Sequence, residues 1–133
     1  MASRSLDDLK PEFKQRAEAW LADCQASGLE ILVYCTLRAD DEQAKLYAYG
    51  RTLPGRIVTN AKPGQSAHGY GYALDFVPLL AGKPQWAAGN KFYTHAIDIA
   101  QLHGMESLAG SAFPEWAHLQ MPGWRTLILQ HTS

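Results

Sequence analysis

The chain has 133 residues, 47% of them hydrophobic and 19% charged, with a formal net charge of −1. That length and apolar content suit one catalytic-sized domain, residues 1–133, built round a single core. The near-zero charge argues against a nucleic-acid or anionic-membrane partner, since either selects a strong basic field.

The N-terminus, Met-Ala-Ser-Arg-Ser-Leu-Asp-Asp, carries no apolar h-region. No apolar run approaches the ~18 residues of a membrane helix, so neither a signal peptide nor a membrane span is expected. The chain is expected to be made in a cytoplasm and to work as a monomer. Cys24 and Cys35 show no C-x-x-C spacing and read as reduced, buried small hydrophobes.

In chain order, Leu9 to Gln25 reads as a helix capped by Asp7 or Asp8, with Pro11 in its first turn and Phe13, Ala17, Trp20, Leu21 and Cys24 inward. Gly28 ends it. Glu30 to Arg38 is rich in β-branched and aromatic residues and reads as a strand, with Ile31, Val33, Cys35 and Leu37 on one face and Tyr34, Thr36 and Arg38 on the other. Asp40 and Asp41 cap and charge a second helix that runs to Tyr49 and carries Gln43. The Pro- and Gly-broken stretch from Arg51 to Gln65 reads as a long loop across the front of the molecule, a common place for binding residues.

Ser66 to Asp75, S-A-H-G-Y-G-Y-A-L-D, places two potential metal ligands, His68 and Asp75, among residues of little bulk. If its second half is extended, Tyr72, Leu74 and Phe76 face the core and Gly71, Ala73, Asp75 and Val77 face the other way. Pro78 to Trp86 reads as a hairpin turning at Ala81, Gly82 and Lys83. Asn90 to His103 reads as a third helix with Gly104 as its stop, and Met105 to Ala112 as a return. In Phe113 to Gln120, F-P-E-W-A-H-L-Q, alternation from Trp116 onward puts Trp116, His118 and Gln120 on one face, with Glu115 ahead of the regular strand. Trp124 to Leu129 is a terminal apolar segment expected to pack on the core.

Two histidines and a carboxylate with a fourth position left open are a catalytic zinc arrangement, because closed structural sites fill all four positions with protein ligands. His68, Asp75 and His118 supply that set. Such a metal activates water and polarises a carbonyl, and a carboxylate beside it carries the proton to the leaving amine. Glu115 is spaced for that task, and Arg38 can stabilise oxyanion charge or hold a substrate carboxylate. His95, His103 and His131 fit no H-x-x-x-H or H-E-x-x-H pattern and are assigned no role.

Taken together, S-x-H-x-x-G-x-A-x-D and P-E-W-A-H resemble the paired signature of the D-alanyl-D-alanine metallopeptidase family, which includes cell-wall carboxypeptidases, vancomycin-resistance dipeptidases and phage endolysins. R-A-D-D-E-Q-A-K-L-Y resembles that family's R-S-x-x-x-Q-x-x-L-Y segment, with Ala39 where serine is usual. The resemblance runs from Tyr34 to Gln120. It implies zinc on His68, Asp75 and His118, Glu115 as catalytic base, Arg38 as transition-state or substrate partner, and Gln43 and Ser66 in supporting, substrate-binding positions.

The fold it implies is an α+β hedgehog-like zinc peptidase fold, a small antiparallel sheet flanked by helices, which agrees with the element order above. The implied substrate is the peptidoglycan stem peptide. The segment R-T-L-P-G-R-I-V-T-N ahead of the histidine motif looks most like a phage or prophage endolysin that cuts the L-alanyl-D-glutamate bond. Such an enzyme is made in the host cytoplasm and reaches the periplasmic wall through a separate holin. A D-alanyl-D-alanine carboxypeptidase or dipeptidase, and a non-catalytic wall-peptide-binding relative, are the alternatives.

Overall fold

The computed structural model describes residues 2–112 and 114–131, without the side chain of His131. Phe113, the first residue of the second motif segment, lies outside the described residues. Strands β1 (Glu30–Cys35), β2 (Ala73–Leu80), β3 (Lys83–Pro84), β4 (Glu106–Leu108) and β5 (Glu115–Gln120) form one antiparallel sheet. Its order is β1-β2-β5-β4, with β3 paired to the far end of β2. Helices α1 (Pro11–Ala26), α2 (Asp40–Ala48), α3 (Lys91–Leu102) and α4 (Trp124–His131) flank it, giving the expected α+β architecture.

The core lies between the sheet and the pair α1 and α3. Phe13, Ala17, Trp20 and Cys24 recur on one face of α1 and are fully buried. The Trp20 indole donates to the Ala96 carbonyl of α3 at 2.9 Å, and its ring meets Phe76 of β2 edge-on at 5.0 Å. Burial of the rings and the satisfied indole N–H together fix how the two helices sit on the sheet. Helix α1 begins later than the sequence suggests, and neither Asp7 nor Asp8 caps it. Pro11 lacks an N–H and drives Lys10 into an extended conformation, so the two aspartates instead form a separate 3-10 turn, Leu6–Asp8, capped by Ser5.

Helix α3 starts as expected at Asn90, whose side chain accepts from the Phe92 and Tyr93 N–H groups. The hairpin between β2 and β3 turns on Ala81 and Gly82, both with positive φ (51° and 78°), as a two-residue connection requires.

On β2, Leu74 and Phe76 are buried, as expected, but Ala73 and Val77 on the opposite parity are buried too. Both faces of the central strand are therefore covered, and Asp75 is the partly open position between them.

Two irregularities break the simple alternation. In β1 the register slips between Val33, which pairs with Phe76, and Cys35, which pairs with Asp75. Tyr34 is the extra residue of a bulge. The strand ends at Cys35, three residues before Arg38, and Leu37 is exposed although Cys35 is buried. In β5, Glu115 is the first strand residue and not a residue ahead of it, and pairing to β4 jumps from Leu119 to Glu115. Trp116 consequently turns toward α3, with its ring 6.5 Å from Tyr93, instead of sharing the face of His118.

Helix α2 shows what the Ala39 position does. Ala39 is its N-cap, with extended backbone and no side-chain cap bond, while Asp40, Asp41 and Glu42 lie inside the first turn. The aspartates charge the helix start without holding the cap position, although Asp41 Oδ1 accepts from the Glu42 N–H at 2.9 Å. A hydroxyl at residue 39 can accept from the first-turn N–H groups. Ala39→Ser should stabilise the fold by about 1 kcal/mol and raise Tm by roughly 4 °C. Thermal unfolding followed by circular dichroism tests this, and an unchanged Tm would show that those N–H groups are already satisfied, by Asp41 at Glu42 and by water elsewhere.

Candidate metal centre and active-site cleft

The sheet itself assembles the site. Cys35, Asp75 and His118 are direct cross-strand partners in a row over β1, β2 and β5. His68 enters above this row from a 3-10 turn, Ala67–Tyr70, whose N-cap Ser66 accepts from the His68 N–H at 3.3 Å. Gly71 closes that turn with φ 77°, and a Cβ there would come within 3.2 Å of the Asp8 carbonyl and the Lys10 N–H. The turn is thus clamped to the start of α1, which needs glycine at that point.

Hydrogen bonds set both imidazole tautomers. His68 Nδ1 donates to the Thr36 carbonyl at 2.8 Å, since a carbonyl can only accept, and this leaves a lone pair on Nε2 of the neutral ring. His118 Nε2 donates to Gln120 Oε1 at 2.8 Å. The amide orientation follows from the next link, in which Gln120 Nε2 donates to Glu106 Oε1. The lone pair of His118 is therefore on Nδ1.

These two lone pairs point at a carboxylate. His68 Nε2 lies 3.2 Å and His118 Nδ1 3.5 Å from Asp75 Oδ1, and the two rings are 5.0 Å apart. Among the described residues His68 Nε2 is buried without a hydrogen-bond partner, although Asp75 Oδ1 lies 3.2 Å away. Three acceptors facing one point demand positive charge between them. Burial opposes charge on His68, yet Asp75 more than offsets it and raises the imidazolium pKa to about 10. Burial likewise pushes the Asp75 carboxyl up, but His68 and His118 override it and hold it well below the carboxylate range. A proton or a metal cation meets that demand, and two nitrogens plus one oxygen are a donor set that suits zinc.

Cys35 is the residue that strand alternation hid. Its Sγ is 3.4 Å from an Arg38 nitrogen and 3.8 Å from His68 Nδ1, and it forms a potential donor group with His68 and Asp75 whose ligand atoms lie within 4.8 Å of one another. The thiol approaches the ring from Nδ1, which Thr36 already occupies. The free nitrogen is Nε2, so Asp75 and His118 are the donors that share its side, and Cys35 backs the ring. The bulge at Tyr34 brings it there.

Arg38 follows β1 and reaches the same carboxylate. One terminal nitrogen lies 3.2 Å from Asp75 Oδ2, and the other donates to Gln43 Oε1 at 2.8 Å. Gln43 is buried and donates in turn to the Ala61 carbonyl at 2.7 Å. It therefore stands behind Arg38 and ties down the Arg51–Gln65 loop, outside the lining of the cleft. Ser66, Arg38 and Glu115 do line the cleft, together with His68, Asp75 and His118.

The cleft has a volume of about 1000 Å³, with the loop residues Thr59 to Ala61 along one part and Trp124 and Arg125 of α4 along another. Burial raises the Glu115 carboxyl above its ordinary range, against the pull of the nearby His118. His95 is exposed on α3 and His103 pairs with Asp23 at 2.9 Å, both away from the centre.

Sheet, flanking helices and an open cleft floored by two histidines and an aspartate, with a glutamate of raised pKa at its edge, define a hydrolase-type centre. The VanY family of D-alanyl-D-alanine carboxypeptidases matches residues 6–107, and the chain belongs to this family. It is accordingly an enzyme of a family of zinc-dependent peptidoglycan hydrolases.

It is 33% identical over 123 residues, 86% of this chain and 74% of the relative, to the peptidoglycan L-alanyl-D-glutamate endopeptidase CwlK of Bacillus subtilis (strain 168). Its fold matches the crystal structure of Serratia marcescens L-Ala D-Glu endopeptidase ChiX with a TM-score of 0.70 at 18% identity, over 95% of this chain and 92% of that one. The vancomycin-resistance D,D-pentapeptidase VanY of a VanB-type cassette, solved as a variant in complex with Zn(II), gives 0.66 at 14% identity, over 94% and 79%.

Gln120 and Glu106 were not legible as site residues, although Gln120 shares a strand face with His118 two positions away. Partners of this kind set ligand orientation and are worth about 10- to 100-fold in metal affinity. Gln120→Leu should weaken Zn(II) binding by about that factor with the fold retained. Competition with a chromophoric chelator measures it, and an unchanged affinity would mean that the strand alone orients His118.

Proposed function

We propose that this chain is a zinc metallopeptidase that cleaves the L-alanyl-D-glutamate bond of peptidoglycan stem peptides, acting as a phage or prophage endolysin. The observation that carries the bond assignment is the 33% identity to an L-alanyl-D-glutamate endopeptidase over 86% of the chain. The metal assignment rests on the orphaned, buried His68 Nε2 beside Asp75 and His118. The endolysin role and its locations, synthesis in the host cytoplasm and action on the periplasmic wall after holin release, rest on the resemblance of the R-T-L-P-G-R-I-V-T-N segment.

His68 Nε2, Asp75 Oδ1 and His118 Nδ1 would hold the zinc, which when bound would supply Lewis acidity to the alanyl carbonyl and to the attacking water. Glu115 takes a proton from that water as it adds to the carbonyl carbon. The same carboxyl then gives the proton to the glutamyl nitrogen as the C–N bond breaks. Arg38, fixed by Gln43 and Asp75, presents a permanent charge toward the oxygen that gains electron density. Ser66 acts through the His68 turn that it caps.

The raised pKa of Glu115 places the acid limb of kcat/KM above glutamate's ordinary value of about 4.3, because the carboxylate form is the active base. Glu115→Ala should keep zinc and fold but lose on the order of a hundred- to ten-thousand-fold in turnover. Loss of metal in that variant would make Glu115 a ligand instead.

Digestion of purified peptidoglycan, with identification of new amino termini, tests the bond. New D-glutamyl amino termini are expected. Release of free D-alanine would favour the second reading, a D-alanyl-D-alanine carboxypeptidase, which the description of the matching family supports. Co-expression with and without a holin tests the endolysin role, since lysis should require both.

A further inference from the structure

We propose that Arg125 is a substrate-specificity residue, whose guanidinium binds the free carboxylate of the glutamyl residue that follows the scissile bond. This rests on the L-alanyl-D-glutamate reading above. Glutamate carries two carboxyl groups, and a linear chain uses only one of them to go on to the next residue. The other stays beside the cleaved bond, either as a carboxylate or capped as a carboxamide. An enzyme for this bond therefore meets a negative charge close to the reacting carbonyl, in a cleft whose own residues Asp75, Glu106 and Glu115 would repel it.

Two arginines line the cleft, Arg38 and Arg125. Arg38 is committed, with one terminal nitrogen on Gln43 and the other on Asp75, and its side chain is only 12% exposed. Arg125 is exposed on the first turn of α4 and has no ion-pair partner among the described residues.

It is nonetheless held in place. Its guanidinium carbon sits 4.5 Å from the centroid of the Trp124 ring, and Trp124 is 4% exposed and packs, with the rings tilted by 31° and 5.6 Å apart, against Tyr70 of the turn that carries His68. A cation held over an aromatic face stays near the ring while its N–H groups remain available to a ligand. The planar guanidinium fork suits a carboxylate, which it can bind with two parallel hydrogen bonds, and discriminates against an uncharged amide. Through Trp124 and Tyr70 the aromatic platform adjoins the turn that carries His68.

The test uses two soluble stem peptides that differ only at that glutamyl group, one carboxylate and one carboxamide, with wild type, Arg125→Ala and Arg125→Lys. Wild type should favour the carboxylate peptide, and Arg125→Ala should reduce the ratio of kcat/KM between the two peptides by about 10- to 100-fold, through KM and not kcat. Arg125→Lys should restore part of the ratio. Unfolding temperature and zinc content of the variants show whether fold and centre are intact, and peptide affinity measured in a Glu115→Ala background gives the same comparison without turnover. A ratio unchanged in Arg125→Ala, or equal losses on both peptides, overturns the proposal while the bond assignment stands. If wild type cuts neither peptide at the alanyl-glutamyl bond, the functional reading fails and this proposal with it.

Discussion

Asp75 is the group on which the rest of the structure depends. Its carboxylate is surrounded by His68, His118 and Arg38, and its two oxygens are allotted separately. A buried carboxylate without such partners would be driven to take up a proton. Here each partner is itself constrained: the Thr36 carbonyl fixes His68, the Gln120–Glu106 pair fixes His118, and Gln43 fixes Arg38. Removing any of these outer contacts therefore acts at the centre without touching it, because orientation is what the inner groups have to offer.

The sheet converts this chemistry into a packing requirement. Asp75 and His118 meet because β2 and β5 pair in one register, and a slip by one residue would send His118 to the opposite face. That register is set on the other side of the sheet, where Leu74, Phe76 and Leu119 are buried. Trp20, wedged between Phe76 and the Ala96 carbonyl, holds α1 and α3 on those residues. Hydrophobic burial on one face thus pays for ordering the charged groups on the other.

The features legible in the sequence were those with a local cause. Helices α1 and α3 follow from apolar spacing and an Asn or Pro at the start, and the β2–β3 turn from Ala81 and Gly82. His68, Asp75, Glu115, His118 and Arg38 were named from motif spacing, and they line one cleft. What could not be read depends on pairing. The bulge at Tyr34 arises from how β1 meets β2, so alternation placed Cys35 in the core instead of beside Arg38. The turn of Trp116 toward α3 comes from the broken β4–β5 register. Glu106 gave no local sign at all, since only the sheet brings it opposite Gln120. Gln43 was placed in the site by motif but its work is one layer out, holding Arg38 and the loop at Ala61.

The allotment of the Asp75 oxygens has a further consequence for how Arg38 functions. With Oδ2 engaged by Arg38 and Oδ1 facing the two imidazoles, the carboxylate would offer one oxygen to a cation held between the rings. A four-coordinate centre needs one oxygen here, since a second would take the position that water and substrate must share. On the proposed reading, Arg38 would thereby help keep that position open. The short path from Gln43 through Arg38 to Asp75 ties the loop at Ala61 to the centre, so the segment that borders the cleft and the carboxylate between the two imidazoles are held by one chain of hydrogen bonds.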